Sequence, residues 1–283
     1  MRLRSLLFVP GDRPERMEKA LSLGADALIL DLEDSVAPSA KEVARRAIAD
    51  FLSRPRGEVR LVVRINPVDG PLAAEDVAAV ASGAPDGFVL PKAEGAETIR
   101  ALDRILSDHG CVGAKLLPIA TETPAAIFQL GTYREVSDRL AGLTWGAEDL
   151  PAAIGAVTSR EPNGQYTPPY ELARSLTLFA AHAAGCAAIE TVYPAFRDLE
   201  GLSAYAACAA RDGFTGMMAI HPTQVEIINA AFTPSEEAVA HARAVVAAFE
   251  ANPDAGVLSI EGKMIDAPHL KQARLVLARV GQD

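Results

Sequence analysis

The sequence ALILDLED, at residues 27–34, starts with an apolar run (27–32) and has three carboxylates in its last four residues. Apolar runs without alternation are typical of strands that are covered on both faces of a parallel sheet. Seven further runs show the same pattern of run, turn and amphipathic stretch, at residues 6–10, 61–65, 87–91, 115–120, 140–145, 188–193 and 216–221. Eight such strands that alternate with helices predict an α/β fold, the (β/α)₈ TIM barrel.

The segments between these runs have helical spacing of apolar residues, at 15–23, 40–52, 96–106, 170–184 and 199–211. An open doubly wound sheet is the alternative fold, but no GxGxxG turn follows the first run. We predict a catalytic barrel over residues 1–232 and a C-terminal helical extension, or lid, over residues 233–283. The extension opens with a helix at 235–250, whose first turn is acidic, and it is expected to pack on the barrel or on a neighbouring subunit.

Composition and charge exclude several classes of protein. Apolar residues make up 49% of the chain and charged residues 23%, as in an ordinary globular enzyme, and the formal net charge is −10. The chain has no dense Lys/Arg run, so a nucleic-acid-binding surface has no support. It also has no run of about 18 apolar residues, which a membrane span would require. The three scattered cysteines form no CxxC motif, which indicates a reducing compartment. We therefore predict a cytoplasmic protein with no nucleic-acid or membrane partner.

Polar side chains follow six of the eight predicted strands. In a barrel of this kind, reactive groups lie at the carboxyl ends of the strands and in the loops that follow them. Singly, an acid in such a place is often the N-cap of the next helix, and an Arg within an apolar run is often a buried ion-pair partner. Because six strand ends share one face, we predict a functional site formed by the following residues: Asp31, Glu33, Asp34, Arg64, Lys92, Glu122, Glu148, Asp149 and His221.

This combination of residue types indicates metal-assisted chemistry on a small acid. Carboxylates with few His or Cys neighbours suit a hard cation, and Mg²⁺ needs only two protein ligands because it shares its shell with water and substrate. An Arg beside the metal can bind a substrate carboxylate through two parallel hydrogen bonds. A metal, an Arg and a further acid can generate and stabilise an enolate. The residues alone therefore predict a metal-assisted lyase or aldolase.

Eight short motifs carry a family resemblance: RSLLFVPG (4–11), DLEDSVAP (31–38, with Lys41 and Arg45 beyond), VRIN (63–66), LPK (90–92), TET (121–123), GAEDL (146–150), IHPTQ (220–224) and GKMID (262–266). In this order, they resemble the citrate lyase beta-subunit-like enzymes of the HpcH/HpaI aldolase superfamily, whose relatives include malyl-CoA and citramalyl-CoA lyases. Each motif is weak alone, but eight in family order across nearly the whole chain are specific.

The resemblance implies a (β/α)₈ barrel that binds Mg²⁺ through Glu122 and Asp149. It implies that Arg64 and Glu122 contact the substrate, Arg64 at its carboxylate or at the nascent carbonyl. Glu33 and Asp34 would support the water shell of the metal. The remaining candidates are Arg4, Lys92 and His221 for contacts to coenzyme A and Asp266 for acid/base catalysis, although Asp266 also suits the N-cap of the last helix. Relatives are commonly trimers or hexamers in which the C-terminal segment closes over a neighbouring subunit's site.

The reaction that the resemblance implies is a retro-Claisen cleavage. A 3-hydroxy-carboxyacyl-CoA thioester of the citryl, malyl or citramalyl type would give an acyl-CoA and a 2-keto acid. The alternatives are hydrolysis of malyl-CoA, a malate-synthase-like condensation, and a carrier-dependent subunit of a citrate lyase complex that binds an acyl-carrier protein. An aldolase without coenzyme A is disfavoured by residues 263–266. The Pro/Gly-rich loop at 158–169 departs from the family pattern and is predicted to be a lid or an acyl-chain selector.

Overall fold

The computed structural model describes residues 2–55, 57–260 and 262–280. The chain divides into a larger compact unit, Leu3–Asn229, and a smaller one formed mainly by the residues after Asn229. The predicted boundary at residue 232 stays a prediction, and the ends of the two predicted ranges, at residues 1 and 281–283, lie outside the described residues.

Eight parallel strands form the sheet of the larger unit: β1 Ser5–Pro10, β2 Ala27–Asp31, β3 Arg60–Arg64, β4 Gly87–Leu90, β5 Lys115–Pro118, β6 Gly142–Thr144, β7 Ala187–Glu190 and β8 Gly216–Ala219. Their hydrogen-bonded order is β5-β4-β3-β2-β1-β8-β7-β6. Parallel bridges from Leu116 to Leu140 and from Ile119 to Thr144 join the two outer strands. The eight strands overlap the eight predicted runs, and the predicted barrel is confirmed.

Helices follow the strands on the outside of the sheet: α1 Pro14–Ala20, α2 Lys41–Leu52, α3 Leu72–Val80, α4 Ala96–Asp108, α5 Pro124–Gln129, α6 Asp149–Ile154, α7 Pro168–Ala184, α8 Leu199–Asp212 and α9 Val225–Phe232. Short 3₁₀ helices occur at Pro38–Ala40, Ala81–Gly83, Leu130–Arg139 and Pro222–Gln224. Among the described residues, no helix is both long and apolar enough to cross a membrane.

Side chains from alternate strand positions fill the barrel interior and hold the strands in register. Leu6, Ile29, Val89, Leu117 and Met218 belong to one buried cluster to which seven of the strands and their flanks contribute. Burial of one such side chain contributes about 1.5–3 kcal/mol. This packed interior holds the ends of the strands in place, and it therefore positions the residues that follow them.

The smaller unit contains α10 Glu236–Ala251, β9 Val257–Ile260, β10 Lys263–Asp266 and α11 Ala267–Val280. Ser235 caps α10, because its hydroxyl accepts a hydrogen bond from the Ala238 N–H at 3.1 Å. The two strands pair in an antiparallel hairpin, and Ile265 joins Val245 and Ala273 in a small apolar cluster. The helices predicted at 235–250 and after residue 266 are both present.

Candidate active site

A cavity of about 780 Å³ opens at the carboxyl ends of the barrel strands. Six of the charged or ionisable side chains that line it are Asp31, Asp34, Arg64, Glu122, Asp149 and His221. All six follow or end a strand of the sheet, which is where reactive side chains lie in barrels of this class. The structure therefore brings together most of the residues that the sequence analysis selected.

Arg64, which lines this cavity, forms an ion pair that is almost entirely buried. The register of β2 and β3 places Asp31 beside it, and the guanidinium donates through Nε and Nη2 to the two Asp31 oxygens at 2.7 and 2.6 Å. Arg64 Nη1 lies 2.9 Å from Glu33 Oε2, and the Phe8 ring lies beneath the guanidinium at 4.8 Å. Burial opposes ionisation of Asp31, but Arg64 more than offsets it, so the pKa of Asp31 lies below its usual value.

Lys92, which follows β4, contacts three carboxylates. Its ammonium lies 2.8 Å from Glu33 Oε1 and 3.4 Å from Asp149 Oδ1. Its backbone is left-handed (φ 50°), which is uncommon for a residue with a side chain, and its N–H donates to Glu122 Oε2 at 2.5 Å. Burial opposes the charge of Lys92, but Glu33 and the other acids raise its pKa above the usual value. The ammonium therefore stays protonated and bound within the acidic cluster.

Glu122 is a buried carboxylate at the junction of β5 and α5. It precedes Thr123, which caps α5 by accepting a hydrogen bond from the Ala126 N–H. Burial, together with the charges of Asp149 and Glu33, raises the pKa of Glu122 to about 8. Asp149 is the first residue of α6, where a carboxylate is favoured by the helix dipole.

The residues of this cluster fit Mg²⁺. Glu122 and Asp149 offer only carboxylate oxygens, the donors that Mg²⁺ prefers, and the mutual repulsion that raises the Glu122 pKa is the kind that a divalent cation relieves. Within residues 2–55, 57–260 and 262–280, no group of three or more His, Cys, Asp or Glu side chains is arranged to hold a metal. Two carboxylates suit Mg²⁺, which takes the rest of its shell from water and substrate.

Two more of the predicted residues lie at the edge of the cavity. Asp34 is exposed, and its Oδ2 lies 3.9 Å from Arg64 Nη1. The His221 ring stacks on Phe196 with centroids 4.9 Å apart, and its Nδ1 lies 2.8 Å from Thr223 Oγ1. His221 thus begins the 3₁₀ helix that follows β8 and presents one ring face toward Phe196.

Arg4 does not line the cavity, and Asp266 lies in the smaller unit. Arg4 precedes β1, so it lies at the amino end of the strand, and its Nε and Nη2 bind Asp26 at 3.0 and 2.9 Å. Asp266 ends β10 in the smaller unit and forms a 2.5 Å hydrogen bond with His269 Nδ1. The structure therefore does not bring Arg4 to the carboxyl-end cavity, and Asp266 belongs to a separate unit.

The loop predicted to be a lid or selector forms a tight turn. Arg160 and Tyr166 pair in an antiparallel bridge, and Arg160 Nη2 donates to the Tyr166 hydroxyl at 2.7 Å. Tyr166 is buried and meets the Trp145 ring edge-to-face at 4.9 Å. The loop is therefore anchored to the residue that precedes the Gly146–Asp149 segment, and its role in selecting an acyl chain stays a prediction.

Two cations that line the cavity were not among the predicted site residues. Arg16 and Lys19 lie on α1, directly after β1. Residues three apart share one face of a helix, so both can face the cavity from the same side. Their position after the first strand is the sequence signal that could have found them.

Gly146 is the close neighbour that fixes the position of Glu122. A Cβ atom at Gly146 would lie 2.8 Å from Glu122 Cγ, whereas a Cβ at Gly131 would meet nothing within 4 Å. We expect Gly146→Ala to displace the carboxylate and lower turnover by about 10²-fold, because a 1 Å misplacement of a reactive group can cost that much. Steady-state kinetics beside Gly131→Ala test this expectation, and equal rates for both variants would contradict it.

The sequence comparisons agree with this geometry. The sequence pattern of the HpcH/HpaI aldolase/citrate lyase family matches residues 4–222. A citrate lyase subunit beta-like protein from Mycobacterium tuberculosis is 39% identical over 279 residues, which cover 98% of this chain and 95% of that protein. A (3S)-malyl-CoA thioesterase from Cereibacter sphaeroides is 34% identical, with 98% and 94% covered.

A solved structure shares the fold across almost the entire chain. The crystal structure of CitE from Mycobacterium tuberculosis in complex with magnesium, acetoacetate and coenzyme A has a TM-score of 0.82, with 37% identity and with 98% of this chain and 97% of that chain covered. The predictions of family, barrel fold and citrate lyase beta-subunit-like enzyme class are confirmed. The chain belongs to the HpcH/HpaI aldolase/citrate lyase family.

Proposed function

We propose that this enzyme cleaves a carbon–carbon bond in a 3-hydroxy-carboxyacyl-CoA thioester of the citryl, malyl or citramalyl type. The products are an acyl-CoA and a 2-keto acid. The observation that carries the proposal is the convergence of Glu122, Asp149 and Arg64 on one cavity at the carboxyl end of the barrel. An acid pair beside a fixed guanidinium suits a substrate with a hydroxyl and a carboxylate on the same carbon.

Glu122 and Asp149 are the proposed Mg²⁺ ligands, in line with the magnesium and coenzyme A bound to the related CitE. When bound, Mg²⁺ supplies a Lewis acid at the hydroxy-acid end of the substrate. Glu33 and Asp34 would orient the waters around it, and Lys92 would hold Glu33 and Asp149 in place.

Arg64 is proposed to bind the substrate carboxylate and the carbonyl that develops as the bond breaks. Each terminal nitrogen of a guanidinium carries a second N–H, so the contacts to Asp31 and Glu33 leave donors for substrate oxygens. Because Asp31 holds the guanidinium before substrate arrives, little reorganisation is needed in the transition state.

The coenzyme A portion is proposed to run along the cavity toward α1. Arg16 and Lys19 line that side, and cations there suit the phosphates of coenzyme A. His221 keeps its predicted role, whereas Lys92 is already bound by carboxylates and Arg4 by Asp26. The proposal therefore moves the phosphate contacts from Arg4 and Lys92 to the two cations of α1.

Asp266 is proposed to donate the proton that converts the thioester enolate to the acyl-CoA product. In the proposed trimer or hexamer, the C-terminal extension would bring this residue to a neighbouring subunit's cavity. The oligomeric state, the carrier protein and the cytoplasmic location all stay predictions.

Metal removal tests the proposal. We expect the purified chain with Mg²⁺ to release a 2-keto acid from malyl-, citramalyl- or citryl-CoA, and we expect EDTA to abolish this release because the chelator removes the Lewis acid. Keto acid and free thiol are measured separately in each reaction. Keto-acid release that continues in EDTA and does not depend on added Mg²⁺ would contradict the metal assignment.

The second candidate is hydrolysis of malyl-CoA, which the relative named a (3S)-malyl-CoA thioesterase favours. In that case, thiol appears without keto acid in the same assay. If neither product forms, the assay is repeated with acyl-carrier thioesters in place of the coenzyme A substrates. A further assay with acetyl-CoA and glyoxylate tests the condensing direction.

A further inference from the structure

Glu190 is a fully buried carboxylate at the end of β7 that does not line the cavity. Arg174 Nε donates to its Oε2 at 2.6 Å, and Arg174 also pairs with Asp212 at 3.0 Å. Its Oε1 accepts hydrogen bonds from the indole Nε1–H of Trp145 and from the backbone N–H of Thr191. A buried charge is costly unless it is paired and hydrogen-bonded, so these contacts fix Glu190 firmly in one place.

Trp145 connects Glu190 to the segment that carries one proposed metal ligand. It is fully buried and directly precedes Gly146, the first residue of the Gly146–Asp149 segment. The Gly146 N–H donates to Thr121 Oγ1 at 3.2 Å, and Thr121 directly precedes Glu122. The indole is therefore joined on one side to Glu190 and on the other to the backbone from which both proposed ligands extend.

Glu190 also contacts the cavity wall that follows β7, the strand next to β6. Thr191 and Val192, which follow it, both line the cavity, and the hydrogen bond from the Thr191 N–H to Oε1 sets the direction in which the chain leaves β7. The Glu190 carboxylate thus accepts hydrogen bonds from Thr191, which begins the segment after β7, and from Trp145, which precedes the Gly146–Asp149 segment after β6.

We infer that Glu190 is a positioning residue, which holds Trp145 and through it the Gly146–Asp149 segment in the geometry that binds Mg²⁺. The inference rests on the proposed function, since the metal site is where its effect is measured. Glu190 does not line the cavity, and the hydrogen bond from Arg174 orients its carboxylate.

Two conservative variants separate this role from a purely structural one. Glu190→Gln keeps the shape of the side chain but removes the charge opposite Arg174. Trp145→Phe removes the indole donor together with one of its two fused rings and leaves Glu190 with its contacts to Arg174 and Thr191, so it carries the test if the first variant fails to fold. Asp103→Asn is the matched control, because Asp103 forms an ion pair of similar geometry with Arg139 at 2.8 Å on α4.

The experiment is a calorimetric titration of Mg²⁺ into the full chain and each variant. We expect Glu190→Gln and Trp145→Phe each to weaken Mg²⁺ binding by about tenfold, as for the loss of an outer partner of a metal ligand, and Asp103→Asn to leave it unchanged. The double variant should bind Mg²⁺ no more weakly than either single variant, because both changes break the same hydrogen bond between Glu190 and Trp145.

Tryptophan emission gives an independent readout, since Trp145 is the single tryptophan of the chain. Glu190→Gln should shift the emission maximum in the absence of metal, whereas Asp103→Asn should not. If the wild-type chain binds Mg²⁺ and both Glu190→Gln and Trp145→Phe bind it with the same affinity, the inference about Glu190 is overturned and the proposed metal site is not. A wild-type chain that takes up no Mg²⁺ would instead overturn the proposed metal site, and the inference with it.

Discussion

Replacing Glu122 by glutamine is expected to lower turnover by at least about 10³-fold while the fold is retained, since a Lewis acid supplies several kcal/mol of transition-state stabilisation. The amide cannot serve as an anionic metal ligand, but its oxygen can still accept the Lys92 N–H that now binds Oε2. Steady-state kinetics and Mg²⁺ calorimetry measure the effect. Glu97→Gln, on an exposed surface of α4, removes the same charge without touching the cavity and should be silent.

The same variant has an expected pH signature in the absence of metal. The pKa of Glu122 is raised by burial and neighbouring acids from 4.5 to about 8, so the folded chain binds more protons than the unfolded chain between these values. Stability of the wild-type chain therefore falls as the pH rises through this window. The Gln variant lacks this loss, so its Tm relative to wild type should rise from pH 5 to pH 8. A constant Tm difference would contradict the raised pKa.

Replacing Arg64 by methionine is expected to cost about 3–5 kcal/mol in the free energy of unfolding, because it leaves buried carboxylates without their partner. Asp31 is 1% exposed and loses both of its hydrogen bonds to the guanidinium, and Glu33 loses one ion pair. Turnover should fall as well, by about 10²–10³-fold, as for the loss of one preorganised donor. Urea unfolding and steady-state kinetics measure the two effects.

Two controls separate the buried pair from charge alone. Arg100→Met removes an exposed arginine that pairs with Glu97 and Glu135, and such surface pairs contribute little to stability because solvent screens them. The double variant Arg64→Met, Asp31→Asn should recover part of the lost stability but none of the activity, because the unpaired charge is gone while the substrate donor is still missing. Equal stability losses at Arg64 and Arg100 would contradict the buried ion pair.

The strands could be predicted from the sequence because each is a short apolar run that is separated from the next by a helical stretch. The run at 27–32 became β2, and two of the three carboxylates at its end, Asp31 and Asp34, line the cavity. The residue that accepts the two hydrogen bonds of Arg64 could not be predicted, since Asp31, Glu33 and Asp34 lie within four residues of one another. Only the register of β2 and β3 places Asp31 beside Arg64.

Other features required the three-dimensional arrangement. The predicted run at 188–193 extends past the observed end of β7, which hid Glu190 as a strand-end acid. Family motifs selected Arg4 without showing that a residue before β1 lies at the amino end of the barrel. The family resemblance made Lys92 a candidate coenzyme A contact, whereas in the structure its backbone is left-handed and its ammonium lies against Glu33. Backbone conformation at one residue is not encoded in an apolar pattern.

In the proposed reaction, bond cleavage leaves a thioester enolate, which is then protonated. The most direct measurement is the mass of the acyl-CoA product when the Mg²⁺-loaded enzyme turns over its thioester in D₂O. We expect a single deuterium in the newly formed methyl or methylene group, a 2-keto acid in equal amount, and neither product from Glu122→Gln. Free thiol with the intact hydroxy acid, or an acyl-CoA without deuterium, would contradict it.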